Sequence, residues 1–529
     1  MSETAVGENG MVVAPHRAAA EAGADVLRAG GNAVEAMIAA AASIAVVYPH
    51  MNGIGGDAFF LIAEQGKPPR VIDACGRAGS LATLERYSGK GHDTIPSRGA
   101  DAALTVAGAV SGWILASEIA AALGGRMPRR DLLGAAIQQA KEGSAVTRSF
   151  VRCILDDRSE MTAVPGFADH YLIDGKPPEV GSLFVQERLA DTLEQLSRAG
   201  FADFYRGDIA AEIAADLEAA EAPVTRDDLR RQEAVLRRPL SVPLADATLF
   251  NTPPPTQGLA SLIILALFDR LGVKRGESFE HVHGLIEAAK QAFDVRDREI
   301  RDPDHAGDID RYLDAGWLDE TAARIDMKRA ASQPAGNGDG DTIWMGAIDG
   351  NGLAVSFIQS LYWEFGSGVV LPKTGITWQN RGISFSLDPR SDNPLMPGRK
   401  PFHTLNPAFA RFKDGRSMVY GSMGGDGQPQ FQSAIFSRYA RFGMEPAEAI
   451  AAPRWRWGRT WGEGQSGIEV ENRFDPDLLS ALERAGHTLN RLDEAYSDGM
   501  GHAGMIIRRA DGRFSGASDP RCDGEAVPA

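Results

Sequence analysis

The chain contains few cysteines: Cys75, Cys153 and Cys522 are the three among its 529 residues. Because their number is odd and their spacing is wide, they indicate neither a disulfide framework nor a cysteine-based metal site. Among the histidines, His16, His50, His281 and His283 show no metal-ligand spacing either. We therefore expect a protein without a metal, from a reducing cytoplasmic compartment.

The sequence also lacks basic runs and long apolar runs. Its net charge is −16, which excludes nucleic acid as an expected partner because phosphate binding needs clustered basic side chains. The most apolar stretch, 36–47, is too short to span a bilayer and predicts a buried helix instead. Residues 1–10 are polar and acidic, which predicts no secretory signal. We expect no membrane partner.

What the sequence does contain is a helix-rich part followed by a strand-rich part. Helical periodicity dominates from about residue 104 to 300, and the glycine-rich segment AGNGDGD (335–341) ends this region. Two alternating segments follow, 342–348 and 353–359, separated by DGNG, which is a strong hairpin signal. The sequence therefore predicts a mixed α and β protein.

Thr342 begins the first of these strands directly after the glycine-rich segment. If the preceding peptide bond is cut, the threonine gains a free α-amine beside its own hydroxyl, and the amine can serve as the base for that hydroxyl. Threonine is also common at strand starts for reasons of strand propensity alone. From residue chemistry, both interpretations stay open.

Seven short motifs resemble the γ-glutamyltranspeptidase family and occur in the order found there. They are GGNAVEA (30–36), PHMNGIGGD (49–57), GFADFYRG (200–207), PPPTQG (253–258), EAAKQAFDVRDREIRDPD (287–304), APRW (452–455) and GASDPR (516–521). The resemblance covers nearly the whole chain, from about residue 11 to 521. It implies an N-terminal nucleophile hydrolase fold, an α+β architecture of four αββα layers, without a cofactor.

The resemblance further implies a precursor that cleaves itself between Asp341 and Thr342. The products would be a helix-rich larger chain, 1–341, and a smaller chain, 342–529, that begins with the nucleophile. Together the two chains would form one αββα domain and would be each other's partners. A homodimer of this processed pair is left open.

Two further catalytic roles follow from the resemblance. Gly424 and Gly425, in the segment YGSMGGDGQ, match the paired glycines whose backbone N–H groups stabilise the oxyanion. Ser360 occupies the position of a second threonine that contacts the nucleophile, and its hydroxyl can orient Thr342. The alternatives are that the glycines only form a turn and that Ser360 is an ordinary strand residue.

The chain departs from the transpeptidase pattern where the family binds the α-amine of a γ-glutamyl group. Ser384 stands at the acidic position, while Arg381 and Tyr362 stand at positions of amide side chains. An ammonium group beside Arg381 and without a carboxylate would be repelled. The γ-glutamyl amine site is therefore predicted to be absent.

A positively charged pocket is predicted in its place. Arg77 lies near the position of the family's carboxylate-binding arginine, although its local pattern is displaced, and His403-Thr404 replaces a serine pair. Two arginines with Thr404 suit a substrate that bears a carboxylate. The alternative is that Arg381 and Arg399 are surface or ion-paired residues. His403 is interpreted as a pocket or packing residue, because the nucleophile's own amine is the base in this family.

The segments WQNRG (378–382), FSLDP (385–389) and PGRKPFHTLNP (397–407) resemble the transpeptidase-like branch that includes oxamate amidohydrolase. The leading hypothesis is an amidohydrolase for a small amide that carries a carboxylate, with oxamate as the first candidate. The first alternative is a γ-glutamyl hydrolase or transferase acting on glutathione, or a cephalosporin-type acylase. The second is a homologue that no longer processes itself and acts as a binding protein.

Overall fold

Two large sheets form the centre of the molecule. A computed structural model describes residues 3–332, 341–458 and 467–529. Within these ranges the first sheet has seven strands, in the spatial order β19 (Glu525–Pro528), β2 (Gly10–Ala14), β10 (Asp341–Asp349), β11 (Ala354–Tyr362), β3 (Asp57–Ala63), β4 (Arg70–Ala74) and β7 (Val235–Arg237). The second has the order β1 (Ala5–Gly7), β18 (Phe514–Ser518), β17 (Ala503–Arg508), β13 (Ser417–Ser422), β12 (Ala408–Phe412), β9 (Ala247–Asn251) and β8 (Leu240–Pro243).

Two smaller sheets lie outside this pair. One joins β5 (Ser144–Ala145) to β6 (Leu183–Phe184), and the other contains β14 (Trp455–Trp457), β15 (Ile468–Val470) and β16 (Leu489–Arg491). All large-sheet pairings are antiparallel, including the predicted hairpin β10–β11.

One helical layer packs on the first sheet and another on the second. The first layer contains α1 (Arg17–Arg28), α2 (Ala33–Val47), α4 (Ala109–Ala122), α5 (Arg129–Glu142), α6 (Arg148–Met161), α7 (Phe167–Tyr171), α8 (Glu187–Ala199), α9 (Asp203–Arg206) and α10 (Asp208–Ala219). The second contains α12 (Gly258–Leu271), α13 (Phe279–Glu299), α14 (Ala315–Ala323), α15 (Gly427–Ala440), α16 (Pro446–Ala451) and α17 (Pro476–Ala485). The remaining helical segments are α3 (Leu84–Gly89), α11 (Arg226–Arg231) and three 3-10 turns, Asp310–Leu313, Arg381–Ser384 and Asp498–Met500.

Alternating side chains on the strands divide the interior into three cores. On β3, Phe60 and Ile62 pack under the first helical layer, whereas Phe59 and Leu61 pack between the sheets. Because a strand points successive side chains to opposite faces, one apolar strand can fill two cores at once. The layers therefore run helix, sheet, sheet, helix, which confirms the predicted αββα fold.

The start of α2 shows how the sequence sets an element boundary. The Asn32 side chain accepts the backbone N–H groups of Val34 and Glu35, and the Glu35 carboxylate accepts the Asn32 N–H. This capping box satisfies donors that the first helical turn leaves unpaired. The prediction that the apolar stretch 36–47 forms a buried helix is confirmed.

The prediction that residues 104–300 are mainly helical is confirmed, but short strands that the sequence did not predict interrupt the helices between residues 235 and 251. Strands β7, β8 and β9 lie there, and β8 and β9 alternate buried and less buried residues. β8 ends in Pro243 and is the edge strand of the second sheet, where a missing N–H is tolerated.

All three cysteines lie in the described ranges and are free thiols. None of the helices in those ranges combines the length and the apolar character that a membrane crossing requires.

Candidate active site

Thr342 lies near the start of β10 and faces the space between the two sheets. On β10, Ile343 and Met345 join the core under the first helical layer, while Trp344 joins the core between the sheets. Thr342 shares the face of Trp344 because strand side chains alternate. It is fully buried, and its Oγ1 donates to Ser360 Oγ across 3.2 Å.

The pairing of β10 with β11 is irregular beside Thr342. The register shifts by one residue there, so that Thr342 faces two residues of β11, Ser360 and Leu361. Such a bulge re-aims a side chain relative to a regular ladder. The Ser360 hydroxyl also accepts the backbone N–H of Tyr362 across 2.8 Å, and Tyr362 has a φ of 88°, which strains an aromatic residue. Backbone geometry therefore holds Ser360 against Thr342.

The predicted cleavage point falls at the edge of a described range. The backbone of Asp341 begins β10, but its side chain lies outside the described residues, as do residues 335–340 of the glycine-rich segment.

Gly424 and Gly425 form the turn between β13 and α15. Their φ values are 117° and 50°, both in the region that favours glycine. In the described part of the chain, neither backbone N–H donates a hydrogen bond, whereas the Gly425 carbonyl accepts Gln257 Nε2 across 2.8 Å. Two N–H groups without acceptors are what the stabilisation of an oxyanion requires.

The packing of the two sheets brings this turn to the level of Thr342. A Cβ atom at Gly421 would overlap Trp344, and one at Gly346 would lie 3.0 Å from Val419 Cγ2. Residues 346 and 344 of β10 therefore face residues 419 and 421 of β13. One further step along both strands brings Thr342 to the start of the glycine turn.

Arg381 is a buried cation in the 3-10 turn that follows the hairpin. Its side chain is 1% exposed, and its guanidinium carbon lies 3.2 Å from the centre of the Tyr362 ring. Nη1 donates to Thr404 Oγ1 across 3.2 Å. The structure thus brings together three of the predicted pocket residues: Arg381, Tyr362 and Thr404.

The rest of the Arg381 guanidinium is unsatisfied. Among the described residues, Nε and Nη2 have no hydrogen-bond partner, and no carboxylate lies within ion-pair distance. Burial lowers the pKa of this arginine, although an arginine keeps its proton in any ordinary environment. The alternative that Arg381 is a surface or ion-paired residue is therefore wrong. Arg399 is also buried, and its Nη2 donates to the Asp392 carbonyl across 3.2 Å.

His403 is held by Asp57 beside this pocket. Its Nε2 lies 2.9 Å from Asp57 Oδ2, and burial lowers the pKa of His403 to about 4 against the opposing effect of Asp57. The imidazole is therefore neutral near pH 7, with its proton on Nε2. Asp57 Oδ1 accepts the backbone N–H groups of Gly76 and Gly108. In this arrangement His403 is a fixed, buried side chain.

Arg77 does not join Arg381 in a two-arginine pocket. Its side chain is 41% exposed, donates to the Gly398 carbonyl across 2.9 Å and lies 3.3 Å from a carboxylate oxygen of Asp304. A partly exposed arginine with an acidic neighbour is already satisfied. The expectation that Arg77 contributes to the carboxylate pocket is corrected accordingly.

Ser384, at the family's acidic position, is partly buried and donates to the Phe402 carbonyl across 3.2 Å. A neutral hydroxyl committed to a main-chain carbonyl offers no charge to an ammonium group.

Sequence reasoning overlooked two buried polar residues. Asp57 accepts the backbone N–H groups of Gly76 and Gly108, in two separate segments, and orients His403. Gln257 donates to the carbonyls of both Gly425 and Thr404. Each lies in a motif that resembles the family, Asp57 at the end of PHMNGIGGD and Gln257 in PPPTQG. Their place in these motifs indicated that the two residues matter, but the residues that they contact are distant in sequence and could not be predicted.

Two groups of donor atoms within the described ranges are close enough to hold a metal ion. They are Asp57, Cys75 and His403, and His283, Glu287 and His487. In the first, burial raises the pKa of the Cys75 thiol, and His403 Nε2 already contacts Asp57. A protonated thiol is a poor metal ligand.

Comparison with known proteins gives consistent matches over the whole chain. A family model described as gamma-glutamyltranspeptidase matches residues 19–529. The chain is 49% identical to an oxamate amidohydrolase proenzyme from Klebsiella pneumoniae subsp. pneumoniae and 39% identical to a glutathione hydrolase-like proenzyme from Bacillus subtilis, with all of each chain covered. A solved cephalosporin acylase from Bacillus halodurans matches with a TM-score of 0.91 and 32% identity, over 100% of this chain and 97% of that one. The chain is therefore an enzyme of the γ-glutamyltranspeptidase family, with the N-terminal nucleophile hydrolase fold.

Proposed function

We propose that the protein is a self-processing amidohydrolase that acts on a small amide bearing a carboxylate, with oxamate as the leading substrate. The observation that carries this proposal is the buried Arg381 guanidinium: among the described residues, two of its nitrogens have no hydrogen-bond partner and no carboxylate lies within ion-pair distance. A buried cation in this state is costly unless a ligand completes it. Nε and Nη2 form one edge of the guanidinium, and a substrate carboxylate can accept from both of them in a bidentate pair.

Thr342 is the proposed nucleophile. Before processing, its nitrogen belongs to the peptide bond with Asp341 and cannot act as a base. Cleavage of that bond frees the α-amine, giving chains 1–341 and 342–529. The amine then takes the proton of the Thr342 hydroxyl as the oxygen attacks the substrate amide carbon.

The remaining steps use groups around Thr342. The N–H groups of Gly424 and Gly425 stabilise the negative charge on the amide oxygen, and Ser360 orients the Thr342 hydroxyl. The amine returns its proton to the leaving nitrogen, and ammonia departs. Water then hydrolyses the acyl-enzyme, so that one amide and one water yield one carboxylic acid and one ammonia.

The pocket favours a substrate without an amine. Asp57 is the acidic residue that contacts the pocket residue His403, and its two oxygens already accept from Gly76, Gly108, Gln379 and His403. An added α-ammonium would meet Arg381 before it met an uncommitted carboxylate. The 49% identity to an oxamate amidohydrolase proenzyme supports the same substrate class.

Hydrolysis of a panel of amides tests the proposal. Ammonia release reports turnover of oxamate and of glutamine, and release of the coloured aniline reports turnover of a chromogenic γ-glutamyl anilide. We expect the wild-type protein to release ammonia from oxamate and to run as two bands on a denaturing gel. Thr342→Ala should give one band and no ammonia, because it removes the nucleophile. Thr374→Ala, which truncates another fully buried threonine, serves as the matched control and should behave as wild type.

Two results would overturn the proposal in different ways. Turnover of the γ-glutamyl anilide without turnover of oxamate would favour a glutathione-type hydrolase, in line with the 39% identical relative. A wild-type chain that stays uncut would favour a binding protein.

A further inference from the structure

We propose that Gln257 is a positioning residue that fixes the distance between the oxyanion turn and the carboxylate pocket. This inference rests on the proposed function. Gln257 precedes α12 and is fully buried. Its Nε2 donates to the carbonyl of Gly425 and to that of Thr404, each across 2.8 Å. One side-chain amide thus uses both its N–H groups to join the two halves of the site.

The orientation of this amide is fixed from its other side. Gln257 Oε1 accepts Nη1 of Arg296 across 3.2 Å, and the same Nη1 lies 2.5 Å from Asp426 Oδ1. An arginine can only donate, so the atom that faces Arg296 must be the oxygen. The nitrogen therefore points to the two carbonyls, and the flipped amide is excluded.

Each of the two carbonyls controls a group that the proposed reaction needs. Gly424 and Gly425 have wide conformational freedom, so their N–H directions depend on external anchors. The Gly424 carbonyl accepts the N–H of Gly427, and the Gly425 carbonyl accepts both Gln257 Nε2 and the N–H of Gln428. On the other side, the Thr404 hydroxyl accepts Nη1 of Arg381, and the Thr404 carbonyl accepts both Gln257 Nε2 and Asn406 Nδ2. Gln257 is the side chain that bonds to both carbonyls.

For a small substrate, the distance between the oxyanion turn and the carboxylate pocket is critical. In oxamate the amide carbon and the carboxylate carbon are directly bonded, so the oxyanion donors and Arg381 must fit one short, rigid molecule. An error of about 1 Å in such an arrangement can cost on the order of 100-fold in rate. A larger, flexible substrate would tolerate the same error better.

Substitution of Gln257 tests the inference through a split of kinetic constants. Gln257→Met keeps the length of the side chain and removes both donors. Gln257→Glu keeps its shape and its contact with Arg296, but cannot donate to the two carbonyls. For oxamate we expect both variants to lower kcat and raise KM, with kcat/KM reduced about 10- to 100-fold or more. Gln257→Glu keeps the test valid if Gln257→Met fails to fold.

The matched control is Gln430→Met. Gln430 is 1% exposed, and its Nε2 also donates to two main-chain carbonyls, those of Asp426 and Trp457. We expect this variant to lose stability with KM nearly unchanged. If the folded Gln257 variants match the kinetics of Gln430→Met, then Gln257 is only structural and the inference fails. If the wild-type enzyme itself does not hydrolyse oxamate, the proposed function fails, which the wild-type measurement reports separately.

Discussion

At the scale of the residue, the proposed substrate class depends most on Arg381. Its guanidinium is buried, stacks on the Tyr362 ring and donates one hydrogen bond to Thr404. The sequence could predict an arginine at a position where the resembling family has an amide. It could not predict that the guanidinium is buried with no carboxylate of the described residues within ion-pair distance, nor that Arg77 is engaged with Asp304. Those facts depend on side-chain directions that local sequence does not encode.

Replacing Arg381 should separate activity from stability. Arg381→Met is expected to raise KM for oxamate by on the order of 100-fold, because a charge-assisted contact to the carboxylate is lost. The free energy of unfolding should stay the same or rise, since the substitution removes a buried, unpaired charge. Steady-state kinetics and urea unfolding measure the two quantities.

Arg454→Met is the contrasting control. Arg454 is also fully buried, but its Nη2 lies 2.6 Å from Asp519, so that its removal takes away one of the two buried arginines that pair with this carboxylate, the other being Arg521. A loss of stability of up to about 3–5 kcal/mol is expected there. A similar loss in Arg381→Met would mean that Arg381 has a structural partner, contrary to the anion-site assignment.

At the scale of the element, the hairpin β10–β11 and the turn before α15 build the site together. The DGNG signal and strand alternation predicted the hairpin, and the paired glycines were singled out before their geometry was known. The register shift beside Thr342 was not predicted. A bulge leaves no mark in hydrophobic alternation when both faces of a strand are buried, as they are throughout β11.

Substitution of Gly424 should disable the turn. Its φ of 117° is rarely adopted by other residues, and a Cβ atom would lie 2.8 Å from the Phe431 ring. Gly424→Ala is therefore expected to lower kcat by on the order of 100-fold as the N–H groups move away from the oxyanion.

Gly272→Ala provides the comparison for backbone strain alone. Gly272 ends α12 with a φ of 64°, and a Cβ atom there would meet nothing within 4 Å. It should cost about 1–2 kcal/mol of stability and leave kcat unchanged. An unchanged kcat in Gly424→Ala would contradict the role of the turn.

At the scale of the whole molecule, the layered architecture is what sequence reasoning predicted best. Seven motifs in register pointed to one fold, and the three cores follow from strand and helix periodicity. The edge strand β8 and its neighbour β9 were missed, because short strands near prolines carry a weak local signal. The position of β9 in the sheet depends on its pairing with β12, whose residues lie more than 150 positions later.

The molecule should lose stability steeply in mild acid. Burial lowers the pKa of His16, His170 and His403 from 6.5 to about 4, and that of His487 to about 3. Above pH 6.5 both the folded and the unfolded states hold these residues neutral. Between pH 6.5 and 4 the unfolded chain binds protons that the folded chain does not, so each residue lowers the free energy of unfolding by up to about 1.4 kcal/mol per pH unit.

Urea unfolding between pH 7.5 and 5 measures this dependence. We expect the urea concentration at the unfolding midpoint to fall continuously as the pH drops below about 6.5. In His403→Gln the free energy of unfolding should depend less steeply on pH, because one histidine fewer takes up a proton on unfolding. A midpoint that is constant over this range would show that these histidines titrate alike in both states.

The central position of β10 has a consequence for the processed protein. Its backbone is hydrogen-bonded on one side to β2, from before the proposed cut, and on the other to β11, from after it. The terminal strand β19 likewise pairs with β2, and β18 pairs with β1. Strands from both products therefore alternate and pair within the same sheets. Once cut, the products should neither separate on dilution nor refold alone, and the single-chain precursor is the state in which this fold is assembled.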